Sequence, residues 1–249
     1  MDCAKWTGSI AVAACLLAGA GPAAAQTAAV PPRLAASLES CETSPLAAER
    51  AAAFVGSMPA TAGATRMSMR FDLQRRRAGE DLWHRVRGVE GLGDWEQAKP
   101  GRAGFVFHKR VTALQVPASY RAVVRFRWQR DDGAVVRSER RRTRACAQPD
   151  LRPDLVATSL RAVLDARPAL AIYTLTVRND GRSAAGPFAV RVAGARGEVP
   201  ALAAGERTEL LVVAAACAPG STVEAIVDVD RRIDESQERN ALRRDCPLG

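Results

Sequence analysis

Histidine is almost missing from this sequence, which has only His84 and His108. A histidine-rich metal site is therefore excluded, and a Ser-His-Asp triad would have to draw on one of these two. Both stand in arginine-rich, strand-like stretches, LWHRVR and FVFHKR, which suit ordinary surface or half-buried histidines. No Cys-x-x-Cys pair occurs, which argues against a structural zinc. Gly-x-Ser-x-Gly, a glycine-rich phosphate loop and His-Glu-x-x-His are also missing. The glycines of GVEGLGDW, residues 88–95, lack a following helix signature and read as a loop. Beyond the first 25 residues no run approaches the roughly 20 apolar residues of a spanning helix. The expectation is a non-enzyme with no cofactor, no metal and no transmembrane segment.

What is present begins with an address. Lys5 precedes an apolar run from Ile10 to Ala20, and Ala23-Ala24-Ala25 follows, so residues 1–25 read as a signal peptide and the mature chain starts at Gln26. Val12-Ala13-Ala14-Cys15 offers a second reading, a lipoprotein box that would leave Cys15 acylated. Leu16 and Leu17 carry the apolar segment past Cys15 and favour cleavage at the later site. The protein is expected to be secreted: periplasmic, extracellular or on the cell surface. Losing the signal removes Cys3 and Cys15 and leaves Cys41, Cys146, Cys217 and Cys246, an even number that suggests two disulfides. Three pairings are possible. The spacing favours Cys41 with Cys146 and Cys217 with Cys246, since each bridge then lies inside one domain.

Composition divides the chain. Pro149 and Pro153 in CAQPDLRPDL bar regular ladder or helix and read as a short linker, residues 148–153. Residues 40–147 hold 21 Lys+Arg against 11 Asp+Glu, whereas 150–249 hold 13 against 14. The expected organisation is a flexible Ala/Pro-rich arm at 26–40, a basic domain at 41–147 and a near-neutral domain at 154–249. In the first domain alternation dominates. Met67, Met69, Phe71 and Leu73 share one face of a strand, and Tyr120, Ala122, Val124, Phe126 and Trp128 share one face of a stronger one. Asp131-Asp132-Gly133 marks a hairpin turn into AVVRSERRRTRAC. Short strands every dozen or so residues suggest an antiparallel sandwich.

Leu114 followed by Tyr120 at the opening of the strongest strand resembles the tyrosine corner of fibronectin type III and immunoglobulin-like domains. That likeness implies a phenol bonded back to the preceding crossover, with 120–129 and 134–146 as the last two strands. The second domain opens on RPDLVATSLRAV and continues through ALAIYTLTVRNDGRSAAGPFAVRV, VPALAAGERTELLV and STVEAIVDVDRRIDESQERNALRRDC. This succession resembles CARDB, the cell-adhesion-related domain found in bacteria, through Pro153-Asp154-Leu155, Val177-x-Asn179-x-Gly181, Leu202 with Gly205, and the residues from Asp228 to Asn240. The resemblance implies a seven-stranded immunoglobulin-like sandwich. Where the family tends to read Asn-Glu-x-Asn-Asn, this chain has Gln237-Glu238-Arg239-Asn240-Ala241, so one amide is lost. The fold class expected overall is all-β: two tandem immunoglobulin-like antiparallel sandwiches after a cleaved signal peptide.

VDVDRRIDESQERN, residues 227–240, crowds seven acidic or amide side chains into fourteen positions, as a calcium loop would. Alternation through Val223, Ala225, Val227 and Val229 makes it a strand ending at Val229, a turn from Asp230 to Asp234 and a return strand toward Cys246. Asp and Asn side chains cap backbone donors in such turns. Alternation sends Asp228 and Asp230 to one face, Arg231 and Arg232 intrude, and the EF-hand glycine is missing. Asp228, Asp230, Glu235 and Asn240 are therefore read as turn-forming residues.

Of the aromatics, Trp128 and Trp83 are expected in the core and Trp95, in its glycine loop, at the surface. Arg121, Arg125 and Arg127 project from one strand, and Arg140, Arg142 and Arg144 from one face of the next, with Arg137 and Arg141 on the other. Rows of guanidinium groups side by side repel. The acids nearby in sequence are chiefly Asp131, Asp132 and Glu139, so an external anion is a candidate to offset the repulsion. The expected function is a non-catalytic binding or adhesion-type protein of the cell envelope, contacting an anionic envelope polymer or another surface protein and no specific nucleic acid. The alternative is an accessory or inhibitor of a secreted hydrolase, or an enzyme with its site in loops of the first domain.

Overall fold

The structure, a computed structural model, describes residues 32–164 and 169–246; the stretch expected to be a signal peptide, with Cys15, lies outside the described residues. The described chain is all β apart from one 3-10 turn at Ala47–Glu49. In the first half, β1 (Ala35–Glu42), β2 (Ala51–Pro59) and β6 (Gly104–Val111) form a sheet in the order β1-β2-β6. It faces a second sheet in the order β4-β3-β7-β8, made of β4 (His84–Arg85), β3 (Arg66–Arg77), β7 (Ala118–Gln129) and β8 (Val135–Arg142). Two short strands complete this sheet, β5 (Trp95–Gln97) beside β3 and β9 (Cys146–Gln148) beside β7.

Between these sheets lies a core of Phe54, Met58, Met69, Phe71, Leu73, Phe126 and Trp128. The alternation of β3 and β7 dictates it, because each strand sends every second side chain inward. Trp128 is fully buried and donates its indole N–H to the Pro59 carbonyl at 2.8 Å. Tyr120 donates its hydroxyl to the Gln115 carbonyl at 3.0 Å, so the phenol does tie the last strands to the crossover.

The second half repeats the plan. β10 (Leu155–Leu164), β11 (Leu170–Asn179) and β14 (Arg207–Ala215) form one sheet; β13 (Ala195–Val199), β12 (Phe188–Val192), β15 (Thr222–Val227) and β16 (Ala241–Asp245) form the other. A separate core fills the space between them, with Leu155, Tyr173, Leu175 and Phe188 among its largest buried members. Three strands packed on four, all antiparallel, is an immunoglobulin-like sandwich. Disulfides join Cys41 to Cys146 and Cys217 to Cys246, the pairing that the spacing favours.

Three strand boundaries differ from the sequence expectation. Ala35 to Ser40, assigned to the arm, are part of β1 and pair with β2. Small residues there leave no apolar run, yet alternate positions are half buried against the core. The strand expected as 134–146 is broken after Arg142. Thr143 still donates its N–H to the Ala122 carbonyl at 3.0 Å, but its hydroxyl, not a backbone carbonyl, takes the Ala122 N–H at 3.0 Å, and regular pairing resumes only at β9. The strand expected to reach Val229 stops at Val227, because Asp228 has φ 47° and leaves the extended region.

Candidate anion-binding face

The outward face of the β3-β7-β8 sheet carries the arginines singled out from sequence. Cross-strand registers place Arg125 between Arg70 and Arg140, Val123 between Asp72 and Arg142, and Arg127 between Ser68 and Ser138. Arg121 lies opposite Gln74. Arg140 and Arg142 thus share a face with Arg121, Arg125 and Arg127, as expected. Arg144 does not extend that row, since it follows the break at Thr143.

Much of the expected repulsion is resolved inside the protein, by groups that sequence reasoning missed. Asp72 on β3 is buried, and its carboxylate accepts from Arg70 Nε at 3.1 Å, Arg85 Nη2 at 2.7 Å and Arg125 Nε at 2.8 Å. Alternation does put Asp72 on the outward face, but its role depends on β3 lying beside β7, which no local pattern reveals. The acids named from sequence are engaged elsewhere. Asp131 accepts from the Thr65 hydroxyl at 2.8 Å, and Asp132 caps the hairpin through the Ala134 N–H at 2.9 Å. Glu139 sits between Arg137 and Arg141, 3.0 Å from each, on the other face of β8.

Two indoles take up further arginines. The Arg121 guanidinium lies 4.1 Å from the Trp83 ring centroid, with Arg76 at 5.1 Å, and Arg127 lies 3.9 Å from that of Trp95. Trp83, expected in the core, is therefore a surface ring covered by guanidinium groups, and Trp95 is half buried in the same way. Burial, then the positive charges of Arg142 and Arg76, hold the Arg121 guanidinium below its ordinary range. Arg140, Arg142 and Arg144 are exposed, and among the described residues none has a carboxylate within salt-bridge reach. A cleft of about 100 Å³ opens between Asp72, Gln74, Arg85, Arg125, Arg140 and Arg142.

The two histidines lie on different sheets and at the surface. His84 is 3.8 Å from Glu80 and His108 is 3.0 Å from Glu39.

At residues 227–240 the acidic side chains serve the backbone. Asp228 accepts from the Arg232 and Ile233 N–H groups at 3.0 and 2.9 Å, which holds the turn in its left-handed start. Asp230 points the other way, to Arg196 at 2.6 Å, so the two aspartates do not share a face. Buried Glu235 accepts from the Leu155 N–H and from Asn240 Nδ2 at 2.6 Å, pinning the turn to β10. Among the described residues no group of three or more His, Cys, Asp or Glu is arranged to hold a metal ion. Asn179, fully buried, accepts from the Asp154 and Gly181 N–H groups at 3.1 and 3.0 Å and donates to the Ser183 and Leu202 carbonyls at 2.9 and 3.0 Å. One side chain thereby joins the linker, the β11 turn and the segment leading to β14. Gly181 lies so close to Pro153 that any side chain there would meet its backbone.

Residues 148–244 match the family model CARDB. The matched stretch runs from the end of β9 into β16, so the match covers the second sandwich with its linker. No curated protein matches the chain. Among solved structures, the CsuC-CsuE chaperone-tip adhesion subunit pre-assembly complex of Acinetobacter baumannii Csu pili matches at 13% identity, over 79% of this chain and 91% of that one, with a TM-score of 0.27. The class 5 fimbriae chaperone CfaA matches at 11% identity over 86% and 100%, TM-score 0.26, and red sea bream transglutaminase at 10% over 80% and 29%, TM-score 0.26.

Proposed function

We propose that this protein acts outside the cytoplasm as a non-catalytic, adhesion-type binding protein of the cell envelope, and that its basic first sandwich contacts an anionic polymer. Two disulfides suit an oxidising compartment. The CARDB match supports an adhesion-type role by analogy of family. The observation that carries the polymer reading is the set of three arginines, Arg140, Arg142 and Arg144, which have no carboxylate partner among the described residues, on a sandwich with ten more basic than acidic residues. The neighbouring arginines of β7 are held in place by Asp72 and the two indoles, so the whole face stays positive and ordered.

The test is binding of the mature chain to polyphosphate and to dextran sulfate as salt rises. Neutralising about three charges gives a log–log slope near −2, so affinity should fall roughly 20-fold between about 50 and 200 mM salt. The variant R140Q/R142Q/R144Q should bind weakly and with a nearly flat slope. Salt-independent binding, or unchanged binding by the variant, rejects this reading.

A further inference from the structure

The cleft between β3, β7 and β8 differs from a diffuse basic patch in three respects. First, around Val123 and Asp72 it brings together side-chain donors from separate segments: Gln74 from β3, Arg85 from β4, Arg125 from β7, and Arg140 and Arg142 from β8. Second, the geometry is set in advance. Arg125 and Arg140 are direct cross-strand partners, and Arg142 follows on the same face about 7 Å along β8. Asp72 fixes Arg85 through one terminal nitrogen and Arg125 through Nε, which leaves their remaining N–H groups free for a ligand. Gln74 Oε1 already accepts from Arg121 at 2.9 Å, so Gln74 has its amide N–H groups to offer. Third, the cleft holds about 100 Å³, well below the roughly 300–1,000 Å³ of a site for a drug-sized molecule. That volume accommodates one small charged group.

We propose that this cleft seats a single tetrahedral oxyanion, a phosphoryl or sulfuryl group carried on the polymer. Guanidinium forks match such oxygens through paired N–H donors. Four forks approaching from three strands can share the oxygens of a tetrahedral group, whereas a planar carboxylate offers only two. The four arginines and Asp72 leave a net charge of +3 around the seat. Asp72 is a positioning residue: its oxygens are occupied by arginines, and it meets the ligand only through the guanidinium groups that it orients. The indole faces of Trp83 and Trp95 are taken by Arg121 and Arg127, so charge, and not ring stacking, selects the ligand.

This inference rests on the polyanion reading above, and the experiment separates the two. Polyphosphate is bound to the full mature chain, and inorganic phosphate, sulfate and acetate are added as competitors at equal ionic strength. Phosphate or sulfate should displace the polymer well ahead of acetate, and whichever of the two is the stronger identifies the group. The variant R140Q/R142Q should lose about tenfold or more in affinity for the winning anion, as expected for lost charge-assisted bonds. R141Q, on the opposite face of β8 beside Glu139, should leave competition by that anion within about twofold of wild type. All three positions are exposed, so thermal melts should confirm that the variants fold. If polyphosphate binds but acetate competes equally, or R141Q costs as much as R140Q/R142Q, the seat is wrong while the polymer reading stands. If polyphosphate does not bind at low salt, both fail.

Discussion

Glu235 combines near-complete burial with a charge it must shed or have stabilised. Its carboxyl is pushed up to about 7, first by burial, with the hydrogen bonds from Leu155 and Asn240 working against the rise and the nearby charges of Glu238 and Asp228 adding to it. Asp154, close by, is raised for the same leading reason. A carboxyl whose folded value is raised binds its proton more tightly in the native state, so its stabilising effect is complete below about pH 4.5 and is lost as pH rises through about 7. With about 1.4 kcal/mol per unit, the loss across that window is roughly 3 kcal/mol. Urea unfolding of wild type should therefore weaken between pH 4.5 and 7.5, and Glu235→Gln should remove most of that slope; parallel pH profiles would refute it. Asp150 and Asp230, held low by Arg152 and Arg196, have the opposite sign: their stabilising effect is present above the ordinary aspartate range and is lost as pH falls below it. Sequence reading recognises the turn residues as a group. It does not distinguish the exposed Asp230 from the buried Glu235, because only the neighbouring β10 decides which of them loses water.

Among the elements, β7 was the most legible, since five alternate apolar residues specify both its extent and its inner face. β1 was the least legible: its core-facing residues are mostly small and half buried, so composition resembles a loose arm. Trp83 misleads for a related reason, because a large apolar ring reads as core until the guanidinium groups covering it are located. The pairing of β2 across the core is likewise invisible in sequence, yet it sets a sharp requirement. A Cβ at Gly56 would stand 2.7 Å from Met69 Sδ and 3.1 Å from Phe71, between the two sheets. Gly56→Ala should therefore destabilise the first sandwich by about 1–3 kcal/mol through overpacking. Calorimetry reads this directly, and an unchanged melting temperature would mean that the core has slack there.

For the whole molecule, two separate cores and two intra-sandwich disulfides were readable from cysteine spacing and alternation, whereas the contact between the halves was not. The chain-entropy model assigns loop closure by Cys41–Cys146 roughly 4.7 kcal/mol and by Cys217–Cys246 roughly 3.6 kcal/mol. Reduction with dithiothreitol should lower both unfolding transitions, the first sandwich by more; insensitivity to reductant would show that the cores suffice alone. Where the halves meet, Asp234 of the turn is 2.8 Å from Arg152 of the linker and 3.6 Å from buried Arg50. β8 has a consequence at this scale as well. It is an open sheet edge, yet guanidinium groups project from both of its faces, which deters another strand from pairing with it. That protection lasts only while the charge is uncompensated. A polyanion saturating the row would leave a bare hydrogen-bonding edge on every bound copy, so copies brought side by side on a polyanion would be able to pair edge to edge.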